Sequence, residues 1–261
     1  MRLIVLITVL LIATFPLLAL EEGDPDLVGL WLFDEGGGDT VTDSSGNGND
    51  GVINGAFDWV DGKIGGAIFA NGGGSIDVAS SPSLDSISDA LTVAAFFRVE
   101  ADSDTGVRRN GAFLLEDQSA TEPVPAGWSF RIWTTDGLSP GIYGKTELEL
   151  GVWYHIAGVW DGATMSLYID GVPEAELLTD GGADTDGAWG GTLAKTANPL
   201  QLKFGPESYT GAIDEIVLFS RALSEDEIRS LAEKGWVGAL DVEPRGKLAT
   251  AWAALKTAQG N

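Results

Sequence analysis

The stretch Val152-Trp153-Tyr154-His155-Ile156-Ala157-Gly158-Val159-Trp160-Asp161-Gly162-Ala163-Thr164-Met165-Ser166-Leu167-Tyr168-Ile169-Asp170 decides the fold class. Its first nine residues are apolar on both faces, as a central strand must be, because neither side meets water. Asp161-Gly162-Ala163 is a turn signal, since glycine accepts positive φ. Met165, Leu167 and Ile169 then alternate with Ser166, Tyr168 and Asp170, the two-residue period of a half-buried strand. Asp170-Gly171 is a second turn. The unit is a β-hairpin.

The same pattern extends outward. Leu27-Phe33, Leu91-Val99, Gly111-Leu115, Trp128-Trp133, Leu200-Phe204 and Ala212-Phe219 read as strands. Ala67-Ala70 and Ser75-Val78 read as strands flanking a turn, Asn71-Gly72-Gly73-Gly74. In Trp128-Trp133, Trp128, Phe130 and Ile132 share one face, and Ser129, Arg131 and Trp133 the other. Thr179-Ala197 is rich in Gly, Asp and Thr and reads as a surface loop holding Trp189. Ser224 with Glu227 forms a capping box for one short helix whose stripe is Ile228 and Leu231, ended by Gly235.

Composition narrows the function classes. The chain of 261 residues has 15 Lys+Arg against 39 Asp+Glu, a net charge of -24, and such acidity repels phosphate backbones and excludes nucleic acid as a partner. With no cysteine and one histidine, His155, disulfides, thiolate chemistry and multi-histidine metal sites are excluded. Thirty-six glycines and nine tryptophans fit a chain of strands and tight turns, and Trp31, Trp153 and Trp160 are expected in the core.

Both termini differ from the middle. Met1-Arg2, then the apolar run Leu3 to Leu20, then Glu21, Glu22 and Asp24, is the order of a signal peptide over residues 1–20, with Ala19 before the cut. The alternative is an uncleaved anchor, which at eighteen residues would span roughly 27 Å as a helix. Either reading exports the protein, so that it is secreted, periplasmic or on the cell surface, and a membrane is a partner only where the segment stays uncleaved. Residues 236–261 form a tail in which Leu248, Trp252 and Leu255 make an apolar helical stripe beside Lys247 and Lys256.

Several motifs together resemble the laminin-G-like, concanavalin A-like jelly-roll domains of secreted bacterial proteins. They are Gly29-Leu30-Trp31-Leu32-Phe33-Asp34-Glu35-Gly36, Asp43-Ser44-Ser45-Gly46-Asn47-Gly48-Asn49-Asp50-Gly51 and Gly62-Lys63-Ile64-Gly65-Gly66-Ala67-Ile68-Phe69. Trp153 to Gly162, Leu167 to Gly171, and Gly211-Ala212-Ile213-Asp214-Glu215-Ile216 with Arg221-Ala222-Leu223-Ser224 complete the set. The resemblance covers residues 27–235 and implies an all-β fold of two antiparallel sheets packed face to face. It implies a non-catalytic module that binds extracellular glycan or a cell-surface protein. It also implies a structural calcium, for which Asp43, Asn47 and Asp214 are the expected ligands. The alternative for these residues is that Asp43 and Asn47 cap a turn and Asp214 satisfies buried amides.

Laminarinase-like relatives of this fold carry Glu-x-Asp-x-x-Glu on one strand. Glu147-Leu148-Glu149-Leu150 lacks the third carboxylate, and Asp214 and Glu215 are adjacent, so on a regular strand they face opposite sides. His155 lies among apolar residues and reads as structural. No enzyme is expected. Sugar sites pair an aromatic with Asp, Asn or Arg, which makes Trp189 with Asp184 and Asp186 one candidate. Arg108 and Arg109 of the loop Asp102-Asn110, paired with Glu116-Trp128, make the other.

Overall fold

The computed structural model describes residues 20–21, 23–101, 105–118, 127–146, 148–174, 177–180, 191–204 and 210–240. The strands are β1 Leu27–Trp31, β2 Thr40–Val41, β3 Gly51–Asp61, β4 Gly66–Val78, β5 Leu91–Ala101, β6 Thr105–Arg109, β7 Phe113–Gln118 and β8 Gly127–Ile132. They continue as β9 Gly141–Gly144, β10 Tyr154–Trp160, β11 Met165–Ile169, β12 Val172–Pro173, β13 Leu177–Asp180, β14 Leu200–Phe204 and β15 Thr210–Phe219. One helix, α1, spans Glu225–Leu240.

Every strand pairing is antiparallel, and the order is β12-β11-β10-β5-β15-β4-β14-β6-β7-β8-β9-β13, with β1 on β15 and β3 on β4. The all-β antiparallel fold is as expected, and the hydrogen-bond ladder runs on from one half of it to the other, because β4 serves both. Its Ile68–Asn71 segment pairs with β15 and its Ile76–Val78 segment with β14. The glycine run Gly72-Gly73-Gly74, expected as a turn, is the crossing point inside this strand. Gly72 and Gly74 sit at φ 117 and 145, conformations that residues with a Cβ avoid. We call β12-β11-β10-β5-β15 with β1 the back half and β14-β6-β7-β8-β9-β13 the front half.

The halves enclose one core. Val93, Ala95, Phe97, Ile156, Ile213 and Leu218 come from the back, and Val107, Phe113, Leu115, Trp128, Phe130, Ile132, Leu200 and Leu202 from the front. Phe97 and Trp128 meet with centroids 4.3 Å apart. Gly158 lets the halves close, since a Cβ there would lie 2.5 Å from the Phe130 ring. Trp31 and Trp160 are buried as expected, whereas Trp153 is only half-buried.

A second cluster lies on the outside of the back half. Leu30, Ala94, Ala157, Val159, Val217 and Phe219 are covered by Ile228, Leu231, Trp236 and Ala239 of α1, and Leu20 packs there too. The helix breaks at Gly235 (φ 67), as expected of a C-cap, but the chain resumes helical turns to Leu240. Trp236 and Ala239 therefore belong to the domain, not to a tail beginning at 236. Residues 1–19 and 241–261 lie outside the described residues.

Candidate functional site

Alternation places polar side chains on the outer face of the front half, opposite the core residues of each strand. The strand register puts them in one row: Asp77 of β4 opposite Gln201 of β14, Gln201 opposite Arg108 of β6, Arg108 opposite Leu114 of β7, and Leu114 opposite Arg131 of β8. The row is joined by side-chain hydrogen bonds. Arg108 Nε donates to Gln201 Oε1 (2.7 Å), and Gln201 Nε2 donates to Asp77 Oδ1 (2.8 Å). Asp77 Oδ2 accepts from Asn54 Nδ2 and Ser75 Oγ, each 2.9 Å. Asp77 thus takes three donors. At the far end, Arg131 Nη1 donates to the Ser139 carbonyl (2.5 Å) and Nη2 donates to the Tyr143 hydroxyl.

Burial lowers the Arg108 pKa from its ordinary value, while the Glu116 and Asp77 carboxylates oppose that shift. Lys203, on the same strand as Gln201, is fully buried. Its Nζ donates to the Gly72 and Gly74 carbonyls (3.3 and 3.2 Å) and lies 5.4 Å over the Phe57 ring. Burial pushes it down to about 8. The row is half-buried and held in place before any ligand arrives, which lowers the ordering cost of binding.

Of the residues expected to bind ligand, Arg108 stands at the middle of this row. Arg109, one residue on, points the other way and is 3% exposed. It is a structural tie rather than a ligand group, because all five of its hydrogen bonds go to the segments 80–85 and 196–198. Trp189, Asp184 and Asp186 lie outside the described residues. Asp77, Gln201, Asn54 and Ser75 escaped sequence reasoning, although Ser75-Ile76-Asp77-Val78 and Leu200-Gln201-Leu202-Lys203 show the alternation that reveals them.

The expected calcium ligands do not form one donor set. Asp43 Oδ1 accepts from the Leu30 and Ser45 amides (3.0 and 2.9 Å), and Oδ2 accepts from the Asn49 amide (2.9 Å). Asn47 Nδ2 donates to the Leu27 and Val28 carbonyls (2.8 and 3.2 Å). Asp214 serves another loop, accepting from the Ile64 amide (2.9 Å) while its Oδ1 is buried without a hydrogen-bond partner. Among the described residues no three His, Asp or Glu gather as a metal site. The geometry is that of turn capping and amide satisfaction, and the residues do not fit the ion.

Asp214 and Glu215 were expected on opposite faces of a regular strand. A bulge intervenes, with Glu215 at φ 45 and a register shift before Val217. Glu215 Oε2 accepts from the Trp236 amide (2.8 Å). Burial raises both carboxyls to about 7, Asp214 being raised further by Glu215, and Glu215 by Asp34. His155 is 2% exposed and edge-on to Phe96 at 5.0 Å, and burial pushes it down to about 3. It cannot meet a substrate.

A sequence profile of the concanavalin A-like lectin/glucanases superfamily matches residues 70–229. No curated protein matches the chain by sequence. Among solved structures, the binding domain of Paraclostridial Mosquitocidal Protein 1 is similar at TM-score 0.61 and 18% identity, covering 80% of this chain and 52% of that one. Domain 4 of AbnA, a GH43 extracellular arabinanase from Geobacillus stearothermophilus solved with arabinotriose, gives 0.58 and 19%, covering 80% and 98%. The botulinum neurotoxin serotype G binding domain gives 0.59 and 13%, covering 79% and 50%. The chain thus spans about half of each of the two toxin structures, and these identities speak for the fold alone.

Proposed function

Because the chain belongs to the concanavalin A-like lectin/glucanases superfamily, we propose that it is an exported, non-catalytic module that binds extracellular carbohydrate on the outer face of its front half. The observation that carries this reading is the hydrogen-bonded row Asn54, Ser75, Asp77, Gln201 and Arg108. Sugar hydroxyls are both donors and acceptors, and a fixed row of carboxylate, amide and guanidinium offers both partners at set spacing. Trp133, half-buried directly after β8, offers an aromatic ring for a sugar's C–H face. The arabinotriose bound by the arabinanase domain supports carbohydrate as the ligand class. The basic, apolar, acidic order of the first 24 residues supports export.

The same geometry argues against hydrolysis. Asp77 and Glu116 are the carboxylates of this face that act on the Arg108 charge. The strands that carry them, β4 and β7, lie three strand spacings or about 14 Å apart. A glycosidase pair stands roughly 5–9.5 Å apart.

Affinity electrophoresis through gels containing linear arabinan, arabinoxylan, laminarin or hydroxyethylcellulose tests the reading. At least one polysaccharide should retard the protein, and Asp77→Ala or Arg108→Gln should weaken that retardation tenfold or more. Unchanged retardation in both variants would move the site elsewhere.

A further inference from the structure

Helix α1 covers only part of the outer back face. Ala94, Ala157, Val159, Val217 and Phe219 lie beneath it. The next row, Asp214, Phe96 and His155, is also buried. Two residues further along the strands the side chains on either side of the fully buried Ala212 reach the surface. There Asp58 of β3 pairs with Phe69 of β4, Phe69 with Ala212 of β15, and Ala212 with Arg98 of β5. Arg98 in turn lies 5.1 Å over the ring of Trp153, the residue before β10. Ile68, Phe97 and Ile213 enter the core, so Phe69, Arg98 and Ala212 point outward. Phe69 and Trp153 are half-buried and belong to neither core cluster, and Asp58 is exposed.

We propose that this row is a second carbohydrate site, a platform that takes a neutral glycan chain laid across the strands. Two rings stand at its ends, on β4 and beside β10, three strand spacings or about 14 Å apart, which suits a short run of sugars. Ala212, fully buried between them, adds no contact of its own. Arg98, 24% exposed and 3.0 Å from Glu100, and the exposed Asp58 offer hydrogen bonds to hydroxyls beside the aromatic faces. The order ring, small residue, guanidinium, ring matches a chain whose residues alternate C–H faces with hydroxyl edges. The net charge of -24 selects a neutral chain over an acidic one. The platform lies on the back half and the polar row on the front half, so one domain holds two chains at once and cross-links them.

The test uses the same four polysaccharide gels with Phe69→Ala, Trp153→Ala and their double variant, whose melting temperatures report that the fold is intact. The wild type should turn a solution of the retarding polysaccharide turbid by cross-linking; the double variant should not, and should lose tenfold or more of the retardation. Wild-type retardation in the double variant would overturn the platform. If Asp77→Ala with Arg108→Gln removes all retardation while the double variant keeps it, the platform alone falls and the front site stands. If the platform variants abolish retardation and the front variants do not, the front site falls alone. If no polysaccharide retards the wild type, both fall.

Discussion

Arg109 makes five hydrogen bonds, to the Leu84, Thr196 and Asn198 carbonyls, the Ser80 hydroxyl and, at 2.6 Å, the Asp85 carboxylate. A guanidinium buried this completely is held by its partners, and removing it strands several acceptors together. Arg109→Met is expected to cost about 3 kcal/mol of unfolding free energy. Arg109→Lys should not restore it, because an ammonium lacks the planar fork. Arg108→Gln, one residue away, should change stability by less than about 1 kcal/mol, since its side chain lies on the half-exposed face. Urea unfolding of the three variants checks this; equal losses at 108 and 109 would refute the assignment of faces. The sequence reads as a loop over 102–110, so nothing in it told the two arginines apart. The segment is instead the short strand β6, and its pairing with β7 and β14, strands distant in sequence from one another, gives the two side chains opposite faces. Likewise Asp43 read equally as calcium ligand or turn cap, and only the three amides around it decide.

At the scale of elements, α1 shows what local signals reach. The capping box is present as read: Ser224 N and Oγ both donate to Glu227 Oε2 (2.8 Å each), and the Glu227 amide donates back to Ser224 Oγ (3.3 Å). Arg221 bridges Glu227 to Asp24 (2.7 and 2.8 Å), tying the helix start to the chain's beginning. Gly235 was legible as a positive-φ residue but not as a hinge, because the partner of the next amide is Glu215, on β15, twenty-one positions away from Trp236. A Cβ at 235 would lie 2.2 Å from Ile64 Cδ1 and 2.5 Å from Glu215 Oε2. Gly235→Ala should therefore destabilise by about 2 kcal/mol or more. In an ordinary helix interior the same change stabilises by about 1 kcal/mol, so the sign in denaturant unfolding decides. β3 was not legible at all. Its register shifts between Gly55 and Phe57, which breaks the two-residue period that identifies a strand.

Across the whole molecule, burial rather than pairing sets the response to pH. The folded protein keeps protons on Asp214 and Glu215 up to about pH 7, whereas an unfolded chain loses them near 4. Stability from these two groups is present below that range and lost as pH rises through it. His155 works in the opposite direction: neutral in the fold down to about 3 but protonated below about 6.5 when unfolded, it costs stability as pH falls. Between about pH 4.5 and 6.5 the fold holds two extra protons and the unfolded chain one. The net is one, a slope of at most about -1.4 kcal/mol per pH unit. Repulsion within a chain of net charge -24 grows in the same direction. Urea unfolding should therefore give higher stability at pH 5.0 than at 6.5. Asp214→Asn separates the two causes, because it removes one buried proton and cancels the local slope while leaving almost all of the surface repulsion. A variant as steep as the wild type would assign the whole effect to surface charge, and stability rising with pH in the wild type would overturn the account of the buried carboxyls.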